Sequence, residues 1–595
     1  MAEIAPVKTP SRAFDTRLLP WAVLSACLLA AACSSSDTST NPKVSLVRNP
    51  CTGGDAVTIP ALQATRIDCG NGGTTVTLTG SGASYLIVPE FATGTGSNSL
   101  VSYRMFTGTA ASASLVASSR LGAASLASTV GSNAGLLPPY RPNRAQMELD
   151  QQLLRRAHAQ LLSSGRRGVI AASRSIEPSA AIVPAVGSVR QFHVLSNFNS
   201  GAFKNVGARL AFAGSNVLVY VDTLSPPGFT DTQLQQFGQY VDGTLYGIAT
   251  SAFGTPSDVD QNGHIIMLMS PVVNADSPAA NCATQGFVAG FFMSNDFNGP
   301  SDPISNQGEI FYSIVPDPGA TVSCAHTVES LGLDIPATFL HELQHLINYS
   351  QHVVINGGND GSSWLDEGLS IVAEELGSQY WETKCPPPAC RTNAAQLFPD
   401  SAQGFVQSFL YDSYQYALLP DTASITLHTD SDGGFAWRGG TWLLARYLGD
   451  QLGATAFRQL ERGPSDGITA IEQAAGRSFP SVFADFGLAL YTDSLPGLPR
   501  NSAPTVNRFT TRNPKQLWAR LFVTSAGSDV PRADPLQLFP ITADSSTSVM
   551  VPGTTTYFQL DTPTNASTVT IEFSAPGGAA FSSALHPQIA VFRLK

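Results

Sequence analysis

Residues 341–345 read HELQH. The i, i+4 spacing puts His341 and His345 on one face of a helix, one turn apart. Two imidazoles so placed can share one zinc ion, and Glu342 beside them can take a proton from a water that the metal holds. Histidine is scarce, nine in 595 residues, so the pair does not come from a histidine-rich tract. The flanking stretch ATFLHELQHLINYSQH reads as a helix. Phe339, Leu340, Leu343, Leu346 and Ile347 form an apolar stripe, and Pro336 suits a helix start.

A catalytic zinc site takes three protein ligands and leaves one position open. Residues 364–376 read WLDEGLSIVAEEL, and Glu367 there is the candidate third ligand. The intervening NYSQHVVINGGNDGSS holds Gly357, Gly358, Asn359, Asp360 and Gly361, a turn long enough for the chain to double back. Glu367 would then project from a second helix, and Gly368 would let the two helices pack closely. Glu374 and Glu375 are read either as a solvated helix face or, for Glu374, as a carboxylate that holds a ligand histidine.

An HExxH helix, a turn and a helix reading W-L-[DN]-E-G resemble the gluzincin metallopeptidases. FLHELQH…WLDEGLS with GEIFYSIVPDP upstream is most similar to the hyicolysin-like metallopeptidases of bacteria. The resemblance covers roughly residues 185–500 and is dense only at 305–380. It implies a zinc-dependent endopeptidase in which His341, His345 and Glu367 bind the metal and Glu342 is the base. Glu374 falls where the aminopeptidases of this group carry a further glutamate. The resemblance also implies a Tyr or His downstream that stabilises the oxyanion. His428 is preferred, followed by Tyr414, with Tyr411, Tyr416 and Arg438 as further candidates. The implied fold is an α+β catalytic domain with a mixed sheet, an active-site helix and a second helical subdomain.

Upstream, SDVDQNGHIIMLMSP offers Asp258, Asp260 and Asn262 as the first half of a calcium loop. The bidentate acid that would complete it is absent, since Met269 takes its place. An ordinary Asp/Asn/Gly turn before a strand is the other reading. The cofactors expected are Zn2+ and, if the loop binds, Ca2+. GEIFYSIV (308–315) is expected as a strand whose edge pairs with an extended substrate backbone, or as a core strand.

Compartment is read from the first 33 residues. Lys8, Arg12 and Arg17 precede an apolar run from Leu18 to Ala32 that ends at Cys33. It is short for a membrane span and resembles a lipoprotein signal with Cys33 lipidated. Leu24-Ser25-Ala26-Cys27 matches the lipobox better letter by letter but would leave an apolar mature start. The chain is therefore expected to be exported, as a bacterial surface lipoprotein or in secreted form. Six further cysteines fall as close pairs, and Cys51–Cys69, Cys282–Cys324 and Cys385–Cys390 are the disulfides expected. The net charge of −11, without basic runs, argues against nucleic acid as a partner. Protein or peptide substrates, a membrane contact only through the N-terminal lipid and a monomeric state are expected.

The elements that must position these residues follow from patterning. Residues 34–135 read as an N-terminal β-sandwich-like domain, with strands TTVTLTG, SYLIVPEF and LVSYRMF. Residues 136–184 hold a helix at 145–163 and a linker, read as an ordinary exposed one, with a processing site at Arg166, Arg167 and Arg174 as the other reading. Residues 185–500 make the metallopeptidase domain, with a helix capped at Thr230 or Asp231 and a helical part from 400 to 495. Residues 501–595 read as a C-terminal β-sandwich. Two other functions are compatible with parts of the chain. A surface adhesin with a silent peptidase domain would use the flanking β-domains. An aminopeptidase would need a G-x-M-E-N motif, which is absent.

Overall fold

In a computed structural model, the described residues are 51, 56–96, 99–107, 143–164, 183–385, 398–428, 434–462, 465–519, 534–542 and 547–595. Cys27, Cys33, the linker arginines and Cys390 lie outside them.

Four strands come first: β1 (Ala64–Asp68), β2 (Thr75–Thr79), β3 (Ser84–Phe91) and β4 (Val101–Thr107). Helix α1 (Arg144–Ser164) follows. The central sheet holds β5 (Val189–Asn197), β6 (Ala202–Ala213), β7 (Val217–Asp222), β8 (Ile265–Met269), β9 (Gly290–Phe292) and β10 (Ile310–Ser313). Helix α2 (Asp231–Tyr240) lies between β7 and β8, and Thr230 caps it, its hydroxyl accepting from Gln233 N. The order across the sheet is β5-β6-β7-β8-β10-β9. β8 runs parallel to β7 and to β10, and these three strands read as near-continuous apolar runs because both faces of the sheet are covered. β9, antiparallel to β10, is one edge of the sheet and β5 is the other. Of the two readings of GEIFYSIV, the core strand holds and the exposed edge does not: β10 is paired on both sides and wholly buried, and β9 is the edge beside it.

The helical part comprises α3 (Val328–Tyr349), α4 (Ser363–Lys384), α5 (Gln407–Leu418), α6 (Phe435–Leu452) and α7 (Phe479–Thr492). Pro336 lies inside α3 and not at its start. Thr327 is the N-cap, with its side chain accepting from Ser330 N, and α3 runs through the proline. Gly368 does not face α3 either. A Cβ there would meet the Thr441 carbonyl oxygen at 2.7 Å, so its bare backbone sets the approach of α4 to α6.

Five more strands follow: β11 (Phe539–Pro540), β12 (Thr547–Met550), β13 (Phe558–Asp561), β14 (Thr568–Ser574) and β15 (Pro587–Arg593). They do not form a sandwich apart from the N-terminal strands. The two sheets are β1-β15-β3-β13-β11 and β12-β4-β14-β2, so each mixes strands from both regions. Val88 pairs with Ala590 and Thr77 with Thr570. The reason is burial: β3 and β15 are apolar on both faces, and each covers the other's edge.

Glu90, at the end of β3, is completely buried where this β-unit meets α7. Its Oε2 accepts from Gln588 Nε2 at 2.6 Å. Burial pushes its carboxyl up to about 8; Asp485 adds to this, while Gln588 and Arg66 oppose it. An acid raised in the folded state keeps a proton that the unfolded chain loses near 4.5. Stability therefore falls as pH rises from about 4.5 to about 8, and levels off above. Glu90→Gln is expected to flatten that fall and to gain on the order of a few kcal/mol over the native chain at pH 8.5. Urea unfolding at pH 5 and pH 8.5 measures it, and equal pH dependence in both proteins would contradict it.

Candidate active site

From Ile335 to Tyr349 α3 is buried nearly all round, and Phe339, Leu340, Leu343, Leu346 and Ile347 pack about its polar residues. His341, Glu342 and His345 are thus buried among apolar neighbours, where polar groups require partners. The two Nε2 atoms lie 3.2 Å apart, and Glu367 Oε2 on α4 is 3.8 Å from His341 Nε2. One donor atom from each of His341, His345 and Glu367 falls within 4.8 Å of the others. The outer nitrogens are also held: His341 Nδ1 lies 2.7 Å from Glu374 Oε1, and His345 Nδ1 lies 2.9 Å from Asp366 Oδ2. The hydrogen bond to Glu374 fixes the tautomer of His341 and turns its Nε2 toward the shared point, and Asp366 stands in the corresponding place behind His345. Ser408 in turn donates to Glu374 Oε2 at 3.0 Å.

This set fits zinc on three counts. The donors are two imidazole nitrogens and a carboxylate. Glu367 Oε1 is buried and accepts no hydrogen bond. Five buried acids, Asp150, Glu342, Asp366, Glu367 and Glu374, crowd two histidines and Arg438, an excess of negative charge that a cation would balance. Protein groups alone show the same imbalance. Burial pushes Glu342 well above the carboxylate range and Asp150 adds to it. Burial also raises Glu367 to about 7 and Glu374 to about 8, with Arg438 opposing both. Burial works to lower His345, but Asp366, Glu367 and Glu342 outweigh it and carry it to about 10. His341 is pushed well down by burial and by His345.

Glu342 Oε2 accepts the Phe292 N–H at 3.0 Å, which ties the base to the edge strand β9. His341, Glu342, Tyr411, Asp412 and Arg438 line one cavity of about 330 Å3. His428 and Tyr414 are not among its lining residues. His428 stacks on Trp437, ring centroids 4.0 Å apart, with φ at 50°. Tyr414 and Tyr416 are buried in α5. Arg438 Nη1 lies 2.6 Å from Glu367 Oε2, and its Nε lies 3.6 Å from Asp412 Oδ2.

The loop upstream differs in its detail from the calcium reading. Asp258 and Asp260 gather with Glu309, their carboxylates within 4.8 Å of one another. Asn262 is used within the turn: Nδ2 donates to Asp260 Oδ2 at 2.7 Å, and Oδ1 accepts from His264 N at 2.6 Å. Glu309 Oε2 is buried without a hydrogen-bond partner, and burial pushes that carboxyl to about 8. Sequence reasoning missed Glu309 because it enters from the residue before β10. It also passed over Asp366, although the W-L-D-E-G motif contains it.

Cys51–Cys69 and Cys282–Cys324 are disulfides. Cys385 is disulfide-bonded too. Among the described residues, no helix is long and apolar enough to cross a membrane.

No family model matches the chain. Over 200 residues it is 26% identical to the neutral metalloprotease ShpI of Staphylococcus hyicus, a stretch that is 32% of this chain and 40% of that protein. The chain is a distant relative of a neutral metalloprotease. It spans less than half of that relative's length.

Proposed function

We propose that the protein is an exported zinc-dependent endopeptidase. The observation that carries this is the convergence of His341, His345 and Glu367, with Glu342 beside His341 in the wall of a cavity. The distant relationship to a neutral metalloprotease supports it. Disulfides support an oxidising compartment, and the lipoprotein-like leader supports anchoring at Cys33.

Bound by this triad, zinc supplies Lewis acidity toward a water and a scissile carbonyl. Asp366 and Glu374 hold the two imidazoles in register for it. Glu342 takes the proton from the water on one carboxylate oxygen and delivers it to the leaving amine. The Phe292 N–H steers that carboxylate. An extended substrate would lie along the β9 edge, where the Gly290 carbonyl and the preceding Ala289 N–H are bonded to Gln146; main-chain bonds there would select little for sequence.

Tyr411 is the oxyanion donor that the cavity favours over His428. Tyr411→Phe is expected to lower kcat about 10²- to 10³-fold with little change in KM. His428→Ala should leave kcat within a few-fold. Steady-state kinetics on one peptide decides between them, and the opposite ranking would refute the assignment. The endopeptidase reading itself is tested with an N-terminally blocked peptide. Chelator-sensitive cleavage is expected, whereas cleavage of free-amine peptides alone would indicate an aminopeptidase.

The second acidic group is proposed to hold Ca2+ with Glu309 as its buried ligand. Millimolar calcium is then expected to raise Tm by several degrees in the zinc-loaded protein and to leave Glu309→Gln unmoved. Equal shifts in both would count against the site.

A further inference from the structure

Helix α1 belongs neither to the β-unit nor to the zinc helices, yet it lies across the candidate active site. On the metallopeptidase reading above, we propose that α1 is a built-in occupant of the substrate cleft. Asp150 presents a fourth ligand, a second carboxylate, to the metal position, and the Gln146 amide takes the place of a substrate backbone on β9.

Asp150 is 3% exposed. Its Oδ2 lies 3.8 Å from His341 Nε2, the same separation that the ligand Glu367 keeps from that atom. One donor atom each of Asp150, His341 and Glu342 falls within 4.8 Å of the others. Its Oδ2 is also 3.4 Å from Arg438 Nη1. A three-ligand zinc has one open position, which the reacting water needs. A carboxylate held at that position excludes the water from Glu342.

Gln146 reproduces the pairing of an added strand. Its Oε1 accepts the Ala289 N–H at 2.8 Å, and its Nε2 donates to the Gly290 carbonyl at 2.8 Å. Gly290 opens β9 and Ala289 precedes it, so Gln146 occupies the backbone at the start of the sheet edge that an extended peptide would meet. The same Nε2 lies 2.7 Å from Asp150 Oδ1. One contact therefore holds the other in place.

Anchors at both ends of the segment keep α1 seated. Asn143 Oδ1 accepts the Phe287 N–H at 3.0 Å, Met147 and Leu149 are buried, and His158 Nδ1 lies 2.9 Å from Asp360 Oδ1. Topology adds a consequence. β1 to β4 pair with β12 to β15, so a single cut between α1 and β5 leaves α1 attached to the folded body. A tethered occupant returns at millimolar effective concentration. Activation is then an opening of the cleft that substrate must compete for, and not the loss of a propeptide.

The test uses the full chain, Asp150→Ala, the conservative Asp150→Asn and, independently, Gln146→Glu, which sets a charge against Asp150 and Glu342. Each is loaded with Zn2+ or Co2+, and metal content, the visible spectrum of the cobalt form and the Kd for an N-blocked peptide hydroxamate are measured. One metal per chain is expected throughout. The cobalt spectrum should change in both Asp150 variants. The hydroxamate should bind about 100-fold tighter to Asp150→Ala and to Gln146→Glu, as expected when a state populated at about one part in a hundred becomes dominant. If Asp150→Ala fails to fold, the Gln146→Glu affinity carries the test. Metal-loaded variants whose spectra and Kd match the native chain would overturn the proposal while leaving the metallopeptidase reading standing. A native chain that takes up no metal would overturn both, and its metal content shows which has failed.

Discussion

Glu342→Gln is expected to retain one zinc per chain and to lose about 10²- to 10⁴-fold in kcat, with KM little changed. The substitution keeps shape and volume, so α3 and its apolar collar are undisturbed. An amide oxygen can still accept the Phe292 N–H that now ends on Glu342 Oε2 at 3.0 Å. The lost property is proton transfer, since a carboxamide cannot take a proton from water at neutral pH. His341, His345 and Glu367 are untouched, and so are Asp366 and Glu374 behind the imidazoles. A drop in metal content alongside kcat would show that Glu342 serves the metal and not the proton.

Glu367→Ala is expected to lose zinc and also stability. Of the ligand triad only the two imidazoles remain, and Asp150, drawn to the Arg438 that Glu367 has released, does not replace the third donor. The second cost comes from Arg438, which is buried and has its shortest ion pair, 2.6 Å, with Glu367. Asp150 at 3.4 Å and Asp412 at 3.6 Å remain but do not replace it. Removing one partner of a buried pair costs about 3–5 kcal/mol. Thermal unfolding of the metal-stripped proteins isolates this contribution, because zinc then stabilises neither of them. An unchanged Tm in that comparison would mean that Arg438 is adequately paired without Glu367.

What the sequence discloses here is what is local. His341, Glu342 and His345 can be read because one helical turn places them, and Glu367 because W-L-D-E-G marks a second helix. Their convergence needs only that the turn at 356–362 lets the chain fold back. Asp150 and Glu309 could not be read that way. Each reaches its cluster from a separate element, and no spacing encodes such an approach. The strand readings around 75–107 and 558–593 follow from alternation, but pairing of β3 with β15 joins segments hundreds of residues apart, which periodicity cannot reveal. The same holds for the edge of the central sheet. β9 is a three-residue strand with a weak pattern, while β10 has the stronger one and lies inside. Pro336 is a different case. As a start signal it is outweighed by Thr327, whose cap lies further upstream.

Zinc stoichiometry in the purified chain and two variants tests the central claim most directly. The account predicts one zinc per chain in the native protein and in Glu342→Gln, and none in Glu367→Ala. A native chain without zinc, or a Glu367→Ala chain that holds as much as the native one, would contradict it.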